Sequence, residues 1–259
     1  MCELLGMSAN VPTDICFSFT GLVQRGGRTG PHSDGWGISL YEGRGSRSFH
    51  DPRPSVASEI AELIQRYAIK SKIIISHIRK ANRGKICLEN THPFTRELWS
   101  CSWVFAHNGQ LNGIKIKRLK FYQPIGTTDS EHAFCWMLDQ IRKKYPKRPA
   151  NSQQLWRYIH KLAEEVSKLG VFSFLMSDSY YLYVYCTNNM CWITRRHPFG
   201  EARLIDTGEI VDFRKLTTPK DIVTIVTSRA LTDNEEWHHM KKGEFVVFKD
   251  GKQQKIKLN

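Results

Sequence analysis

The sequence lacks any run of roughly 18 apolar residues, the length that a membrane-spanning helix needs. Its first twenty residues contain no basic segment followed by an apolar one, so we expect a cytoplasmic protein with no membrane association. Internal repeats, low-complexity tracts and linker-like stretches are also missing. With 259 residues, of which 41% are hydrophobic, the chain can bury a sizeable core, and we expect a single domain over 1–259.

Closely spaced cysteine pairs are missing as well. None of the seven cysteines belongs to a CxxC pair, which argues against a disulfide framework or a zinc ribbon. Cys186 and Cys191, with His197, are the one combination that resembles a metal-ligand set. Both cysteines lie in the apolar and aromatic stretch "YLYVYCTNNMCWI", which is typical of buried free thiols. We therefore predict no metal and no organic cofactor.

The charge of the chain is strongly positive, but the basic residues are not organised for nucleic acid. The formal net charge is +13, and such a balance can indicate binding to a polyanion. The basic residues are scattered, and the clusters "IRKKYPKR" and "KDGKQQKIK" do not interleave aromatics as a base-stacking surface would. We expect solvated surface charge and no nucleic-acid partner.

Hydrophobic periodicity predicts few helices and many strands. Helices are expected over 15–25, in "SVASEIAELIQRYA", from a capping box at Thr128 and Glu131, and around 155–166 up to Gly170. Hairpins are expected with turns at 42–45 and at Asp250-Gly251. The other predicted strands are "KIIISHIR", "WVFAH", "VFSFLMS", "YYLYVYC", "MCWITRR" and "DIVTIVTS". This pattern predicts an α+β fold with two packed antiparallel sheets and helices outside.

The opening "MCELLG" places a cysteine directly after the initiator methionine. If Met1 is removed, Cys2 carries a thiol and a free α-amine on one carbon. That pair forms a nucleophile with its own base. Chance is the alternative, so the position needs support from the rest of the chain.

Polar residues at the ends of predicted elements supply further candidates. Arg79 follows a buried strand, and its guanidinium could bind a carboxylate through two hydrogen bonds, or it could form a surface ion pair. Asn108-Gly109 could be a hairpin turn or an oxyanion hole built from a side-chain amide and a backbone N–H. Asp129, in the first turn of its helix, could bind an ammonium group or simply favour the helix dipole.

Taken in order, these segments resemble the class II glutamine amidotransferases, the amidohydrolases with an N-terminal cysteine nucleophile. The segments are "MCELLG", "QRGG", "SHIRKANRG", "THPF", "FAHNGQLNG" and "TTDSEHAF". Within that family, the chain is similar to the single-domain YafJ-type amidotransferases in the segments "DGWGI", "ENTHPFTREL", "WITRR" and "NEEW". The resemblance covers essentially the whole chain. It implies the αββα sandwich of the N-terminal-nucleophile hydrolases.

The resemblance also implies roles for individual residues. Cys2 would be the nucleophile and its α-amine the base, while Asn108 and Gly109 would stabilise the oxyanion. Arg79 would bind the substrate carboxylate and Asp129 its ammonium. Further candidates near the pocket are Arg25, Trp36, His77 and His92. Arg25 matches an arginine that positions the cysteine. Trp36 lies in the Gly-rich stretch "DGWG", which favours a pocket wall, and core packing is its alternative. For each histidine, a structural role is an open alternative.

The implied substrate is glutamine or another γ-glutamyl compound, cleaved through a thioester. Lys80, Asn82 and Arg83 replace Trp, Thr and His of the glucosamine-6-phosphate synthase motif, and the added charge suggests a larger or more acidic substrate. No synthase domain is left within the chain, so either a separate ammonia acceptor exists or hydrolysis is the function. A catalytically idle glutamine-binding regulatory module is the alternative, and the oligomeric state is open.

Overall fold

The computed structural model describes residues 2–81 and 84–257. These residues form an α+β sandwich of four layers, in the order helices, sheet, sheet, helices. The helices are α1 (Cys16–Gln24), α2 (Glu59–Arg66), α3 (Asp129–Lys144) and α4 (Ser152–Ser167). The predicted fold class, two packed antiparallel sheets with outer helices, is confirmed.

The first large sheet is antiparallel and carries the chain's amino-terminal strand in its middle. Along the sheet its strands are β13 (His238–His239), β9 (Cys191–Arg196), β12 (Ile222–Thr227), β1 (Glu3–Thr13), β4 (Ser71–Ile78), β2 (Trp36–Glu42) and β3 (Gly45–Asp51). Because β1 is paired on both sides, its first residues are held in register with β4 and β12.

The second large sheet is also antiparallel. Its strands are β15 (Lys252–Gln253), β14 (Phe245–Lys249), β8 (Leu182–Tyr185), β7 (Gly170–Ser177), β6 (Cys101–Leu111) and β5 (Phe94–Leu98). A separate small hairpin joins β10 (Glu201–Arg203) to β11 (Ile210–Asp212).

Three apolar clusters correspond to the three interfaces between layers. Strand alternation creates them, since successive side chains point to opposite faces of a sheet. Leu5 and Met7 of β1 pack toward α1 and α2, whereas Leu4 belongs to the cluster between the sheets. On β6, Trp103 and Phe105 pack toward α3 and α4, in a third cluster. Residues an even number of positions away from Leu4 on β1 lie on the same face and therefore also point toward the opposite sheet.

The local predictions agree with the structure at most elements and differ at two. Asn108-Gly109 does not form a hairpin turn, because β6 continues through both residues to Leu111. Thr128 Oγ1 accepts the expected N–H of Glu131 at 3.1 Å, but the Glu131 carboxylate does not close a capping box. It instead accepts from the N–H groups of Ile125 and Gly126. Within the described part of the chain, no helix is long and apolar enough to cross a membrane.

Candidate active site

Cys2 and Asn108 are brought together by the two facing sheets. Cys2 immediately precedes β1 and lies two residues before Leu4, so the two side chains are on the same face. Asn108 lies two residues after Ala106 on β6. Because Leu4 and Ala106 both belong to the cluster between the sheets, Cys2 and Asn108 face that space. The main-chain nitrogen of Cys2 donates to Asn108 Oδ1 at 2.9 Å, and Asn108 Nδ2 donates to the Cys2 carbonyl at 2.6 Å. The asparagine amide therefore holds the backbone of Cys2 from both sides.

The Cys2 sulfur lies against the backbone of Lys80. The Lys80 N–H donates to Sγ at 3.3 Å, and the thiol can donate to the Lys80 carbonyl at 3.5 Å. Burial raises the pKa of the Cys2 thiol, and the hydrogen bond from Lys80 opposes this effect. The sulfur is thus a thiol at neutral pH and needs a base before it can act as a nucleophile.

A cavity of about 450 Å³ opens beside the sulfur. Its wall includes four of the predicted residues in addition to Cys2, namely Arg79, His92, Gly109 and Asp129. The remaining wall comes from Lys80, Ala81, Gly84, His107, Gln110, Leu111, Asn112, Gly113, Ile114, Lys115, Thr127, Thr128 and Ser130. The volume falls within the range of small-molecule sites.

Two oppositely charged groups contribute to this wall. Arg79 is 3% exposed, and in the described part of the chain its side chain donates once, from Nη1 to the Asp34 carbonyl at 3.3 Å. Asp129 accepts the Leu111 N–H at 2.7 Å and the Ser130 N–H at 2.9 Å. These bonds hold the carboxylate at the start of α3, where the helix dipole also favours it.

Gly109 is required by the backbone at this point of β6. Its φ is +154°, and a Cβ there would lie 1.9 Å from the Val171 carbonyl oxygen of the neighbouring strand. Only glycine meets both constraints. Gly109 also lines the cavity.

The two candidate histidines lie against each other behind the site, with their rings tilted by 40°. The rings of His77 and His92 are 4.2 Å apart, and the four nitrogens of the two rings make no hydrogen bond to the described residues. Burial lowers the pKa of His77 to about 3 and that of His92 well below its usual value. His92 contributes to the cavity wall and His77 does not, so His77 is not a pocket residue.

Arg25 does not line the cavity, and its contacts fit the expected role of positioning the cysteine instead. Its buried guanidinium donates to Glu3 at 3.2 Å and to Asp206 at 2.8 Å. It also donates to the carbonyl groups of Arg229 and Ala230. Because Glu3 follows Cys2 directly, Arg25 holds the chain next to the cysteine rather than contacting the cavity.

Trp36 is also not a pocket wall. The side chain is fully buried in the cluster between the first sheet and the outer helices, where its ring lies 5.6 Å from that of Phe19. The register of β2 explains why Trp36 does not line the cavity. Trp36 pairs with Ile78 and lies two residues before Ile38, so its side chain points outward, toward the helices, as that of Ile38 does. A Gly-rich surrounding sequence does not reveal that orientation.

Several residues of the site were not singled out from the sequence. Lys115 enters the wall from a 3₁₀ turn, and its ammonium donates to the Thr127 carbonyl at 2.7 Å. His107 donates or accepts at Ser130 Oγ, 2.8 Å away. Alternation along "FAHNG" could have placed His107 opposite to Asn108, but no local signal identifies Lys115.

The described residues contain no group of three or more histidine, cysteine or acidic side chains arranged to hold a metal ion. Cys186 and Cys191 are buried, as their apolar surroundings suggested. The structure does not describe three further positions considered in the sequence: Met1, whose removal would free Cys2, and the motif replacements Asn82 and Arg83.

Comparisons with known proteins agree with this geometry. Residues 1–258 match the model of the family described as "Glutamine amidotransferases class-II". The chain is 56% identical over 248 residues to the Escherichia coli (strain K12) protein named "Putative glutamine amidotransferase YafJ", covering 96% of this chain and 97% of that protein.

Solved structures give the same result. A structure titled as a "predicted glutamine amidotransferase" from Pseudomonas aeruginosa PA01 has a TM-score of 0.77 and 49% identity, covering 97% of this chain and 99% of that one. The phosphoribosylpyrophosphate amidotransferase from B. subtilis shares the fold, with a TM-score of 0.60 at 17% identity, over all of this chain and 50% of that one. By fold, family match and identity, the chain belongs to the class II glutamine amidotransferases, on the αββα sandwich of the N-terminal-nucleophile hydrolases.

Proposed function

We propose that Cys2, freed from Met1, hydrolyses the γ-amide of glutamine or of a γ-glutamyl compound through a thioester. The observation that carries this proposal is the position of the Cys2 sulfur in a cavity whose wall also holds Arg79 and Asp129. The complete activity is assigned to a single domain, residues 1–259. A separate protein that accepts the ammonia is compatible with this proposal.

The substrate's amino-acid head is bound by the two charged residues. Arg79 takes the α-carboxylate and Asp129 the α-ammonium, which leaves the side chain of glutamine free to reach Cys2. Opposite charges at fixed positions orient a zwitterion and bring the amide carbon toward the sulfur. Every γ-glutamyl compound shares this head, so these two residues do not select the leaving group.

The base is the α-amine of Cys2. Its usual pKa, about 7.7 to 8.0, lets it accept a proton near neutral pH, and Asn108 Oδ1 already contacts the same nitrogen at 2.9 Å. The amine takes the thiol proton as sulfur forms a bond to the amide carbon. When the C–N bond breaks, the amine returns the proton to the departing ammonia or amine. Water then hydrolyses the thioester and releases glutamate.

The negative oxygen of the tetrahedral intermediate needs hydrogen-bond donors. We assign this role to Asn108 Nδ2 and the Gly109 N–H. In the ligand-free site Nδ2 donates to the Cys2 carbonyl, 2.6 Å away. The amide group is thus already ordered against the backbone of Cys2, and ordered donors stabilise developing charge at little reorganisation cost.

The first test uses a diazo-ketone analogue of glutamine and intact mass. We expect loss of Met1, one adduct on Cys2 by peptide mapping, and protection by excess glutamine. Cys2→Ala should abolish labelling and lower glutamate release by roughly a thousand-fold or more, since a nucleophile is removed.

Cys87→Ser is the matched control, because Cys87 is a partly buried free cysteine outside the cavity wall. This variant should label and turn over like the unmodified protein. Retention of Met1 together with no adduct would contradict the proposal, and it would favour an idle glutamine-binding module.

A further inference from the structure

The ionisable side chains in the cavity wall do not balance the charges of free glutamine. The cationic side chains are those of Arg79, Lys80 and Lys115, and the one acidic side chain in the described wall is that of Asp129. Glutamine carries one negative and one positive group, which the proposed function assigns to Arg79 and Asp129. Two lysines are therefore left without a substrate group.

Of these two lysines, Lys80 has no partner in the described structure. Its ammonium makes no hydrogen bond or ion pair to residues 2–81 and 84–257, whereas the Lys115 ammonium donates to the Thr127 carbonyl. Lys80 is partly exposed and lines the cavity. A cationic residue of a cavity wall whose ammonium has no partner among the described residues is available to a ligand.

Lys80 lies next to the Cys2 sulfur, on the side where the leaving group of a γ-glutamyl amide would have to extend. Its backbone N–H and carbonyl both contact the Cys2 sulfur, at 3.3 and 3.5 Å. The γ-amide carbon has to meet that sulfur, so atoms attached to the amide nitrogen extend past Cys2 and away from the amino-acid head. Arg79, which acts electrostatically on the Cys2 thiol, is assigned to the amino-acid head, and Lys80 is the other cationic residue of the wall whose backbone adjoins the sulfur.

The size of the cavity permits such an extension. A volume of about 450 Å³ lies in the range of sites for drug-sized ligands, roughly 300 to 1,000 Å³. Glutamine is a small amino acid and leaves part of this space unfilled. The wall around the remaining space includes Lys80 and Lys115.

We propose that the preferred substrate is a γ-glutamyl amide whose amine part carries an anionic group, a carboxylate or a phosphate, bound by Lys80. This inference rests on the proposed function and specifies its substrate class. Lys80 thereby determines specificity and takes no part in bond making or breaking.

The test compares three amides that share the γ-glutamyl head. γ-Glutamylethanolamine is neutral in its amine part, γ-glutamylglycine carries a carboxylate, and γ-glutamyl-O-phosphoethanolamine carries a phosphate. Glutamate release gives kcat/KM for each. We expect at least one anionic amide to exceed the neutral one by about tenfold, the effect of one charge-assisted hydrogen bond. The phosphate and carboxylate arms identify which anion is preferred.

The variants are Lys80→Met and the control Lys161→Met, which removes an exposed lysine on α4. Lys80→Met should bring the anionic-to-neutral ratio close to one, because only the anionic amides lose a charged side-chain contact. Lys161→Met should keep the ratio. A ratio near one in the unmodified protein, or an equal loss for all three amides in Lys80→Met, overturns the inference.

Calorimetry on the Cys2→Ala protein separates this inference from the proposed function. Tighter binding of an anionic amide that is lost with Lys80→Met supports the subsite, even if the unmodified protein hydrolyses none of the amides. Equal affinity for all three, together with normal glutamine hydrolysis, supports the proposed function and rejects the subsite.

Discussion

Asn108 is the residue whose contacts bear most directly on the proposed chemistry. Its side-chain oxygen accepts from the Cys2 nitrogen and its side-chain nitrogen donates to the Cys2 carbonyl, at 2.9 and 2.6 Å. The residue is 2% exposed, so neither contact is exchanged freely with water. One amide thus serves both the proposed base and the proposed oxyanion site.

Replacing this amide separates its two contacts. Asn108→Asp keeps an oxygen near the Cys2 nitrogen but loses the donor, and it should lower kcat by about a hundred-fold or more, as for other oxyanion donors. Asn108→Ala loses both contacts and should be no more active. Steady-state kinetics and a thermal unfolding curve check this. Equal kcat for Asn108→Asp and the unmodified protein would remove Asn108 from the oxyanion site.

Among the secondary-structure elements, α3 has a first turn that both caps the helix and contributes residues to the cavity wall. Thr128 caps the helix by accepting the Glu131 N–H, and the next residue, Asp129, lines the cavity. Asn151 provides a comparable cap for α4 by accepting the Gln153 N–H at 3.0 Å, and it does not line the cavity. The two caps have similar structural tasks, and one of them adjoins the proposed substrate site.

Removing each cap distinguishes stability from substrate binding. Thr128→Ala and Asn151→Ala should each lower the free energy of unfolding by about 1 kcal/mol. Thr128→Ala should in addition raise KM for glutamine several-fold, because Thr128 lines the cavity and caps the helix turn that carries Asp129, whereas Asn151→Ala should leave KM unchanged. Urea unfolding and steady-state kinetics provide the comparison. An unchanged KM in Thr128→Ala would show that the cap stabilises α3 without affecting the substrate site.

At the scale of the whole molecule, the contact between the sheets contains buried histidines. His77 on β4 faces inward like Ile73 and Ile75, and its ring contacts that of His92. Burial lowers the pKa of His77 to about 3. An unfolded histidine titrates near 6.5, so the unfolded chain binds more protons than the folded one between these two values.

The stability of the fold should therefore fall as the pH drops from 6.5 toward 3. With His77 uncharged in the folded protein, its contribution to the slope is about 1.4 kcal/mol per pH unit over that range. His77→Leu should reduce the slope of the unfolding free energy by that amount, measured by urea unfolding between pH 7 and pH 4.5.

His239→Leu, at an exposed position of β13, is the matched control for this measurement. It should keep the slope of the unmodified protein. An unchanged slope in His77→Leu would show that His77 is able to take up its proton within the folded sandwich.

Local sequence patterns determined much of this protein. Apolar runs predicted β4 and β7, Thr128 predicted the start of α3, and the ordered motifs predicted the family and the αββα sandwich. Each of these depends on residues close together in the chain, where the periodicity of a strand or a helix is readable. The same motifs pointed to Cys2, Arg79, Asn108 and Asp129 as candidates.

Only the tertiary structure decided which side chains share a surface. The register between β2 and β4 buried Trp36, and the pairing of β1 with its neighbours placed Arg25 on Glu3 and Asp206 instead of in the cavity. Lys115 reached the cavity wall by a turn with no periodic signal. A shift of one residue in register exposes the opposite face of a strand, and that choice is made by the packing of the two sheets rather than by the local sequence.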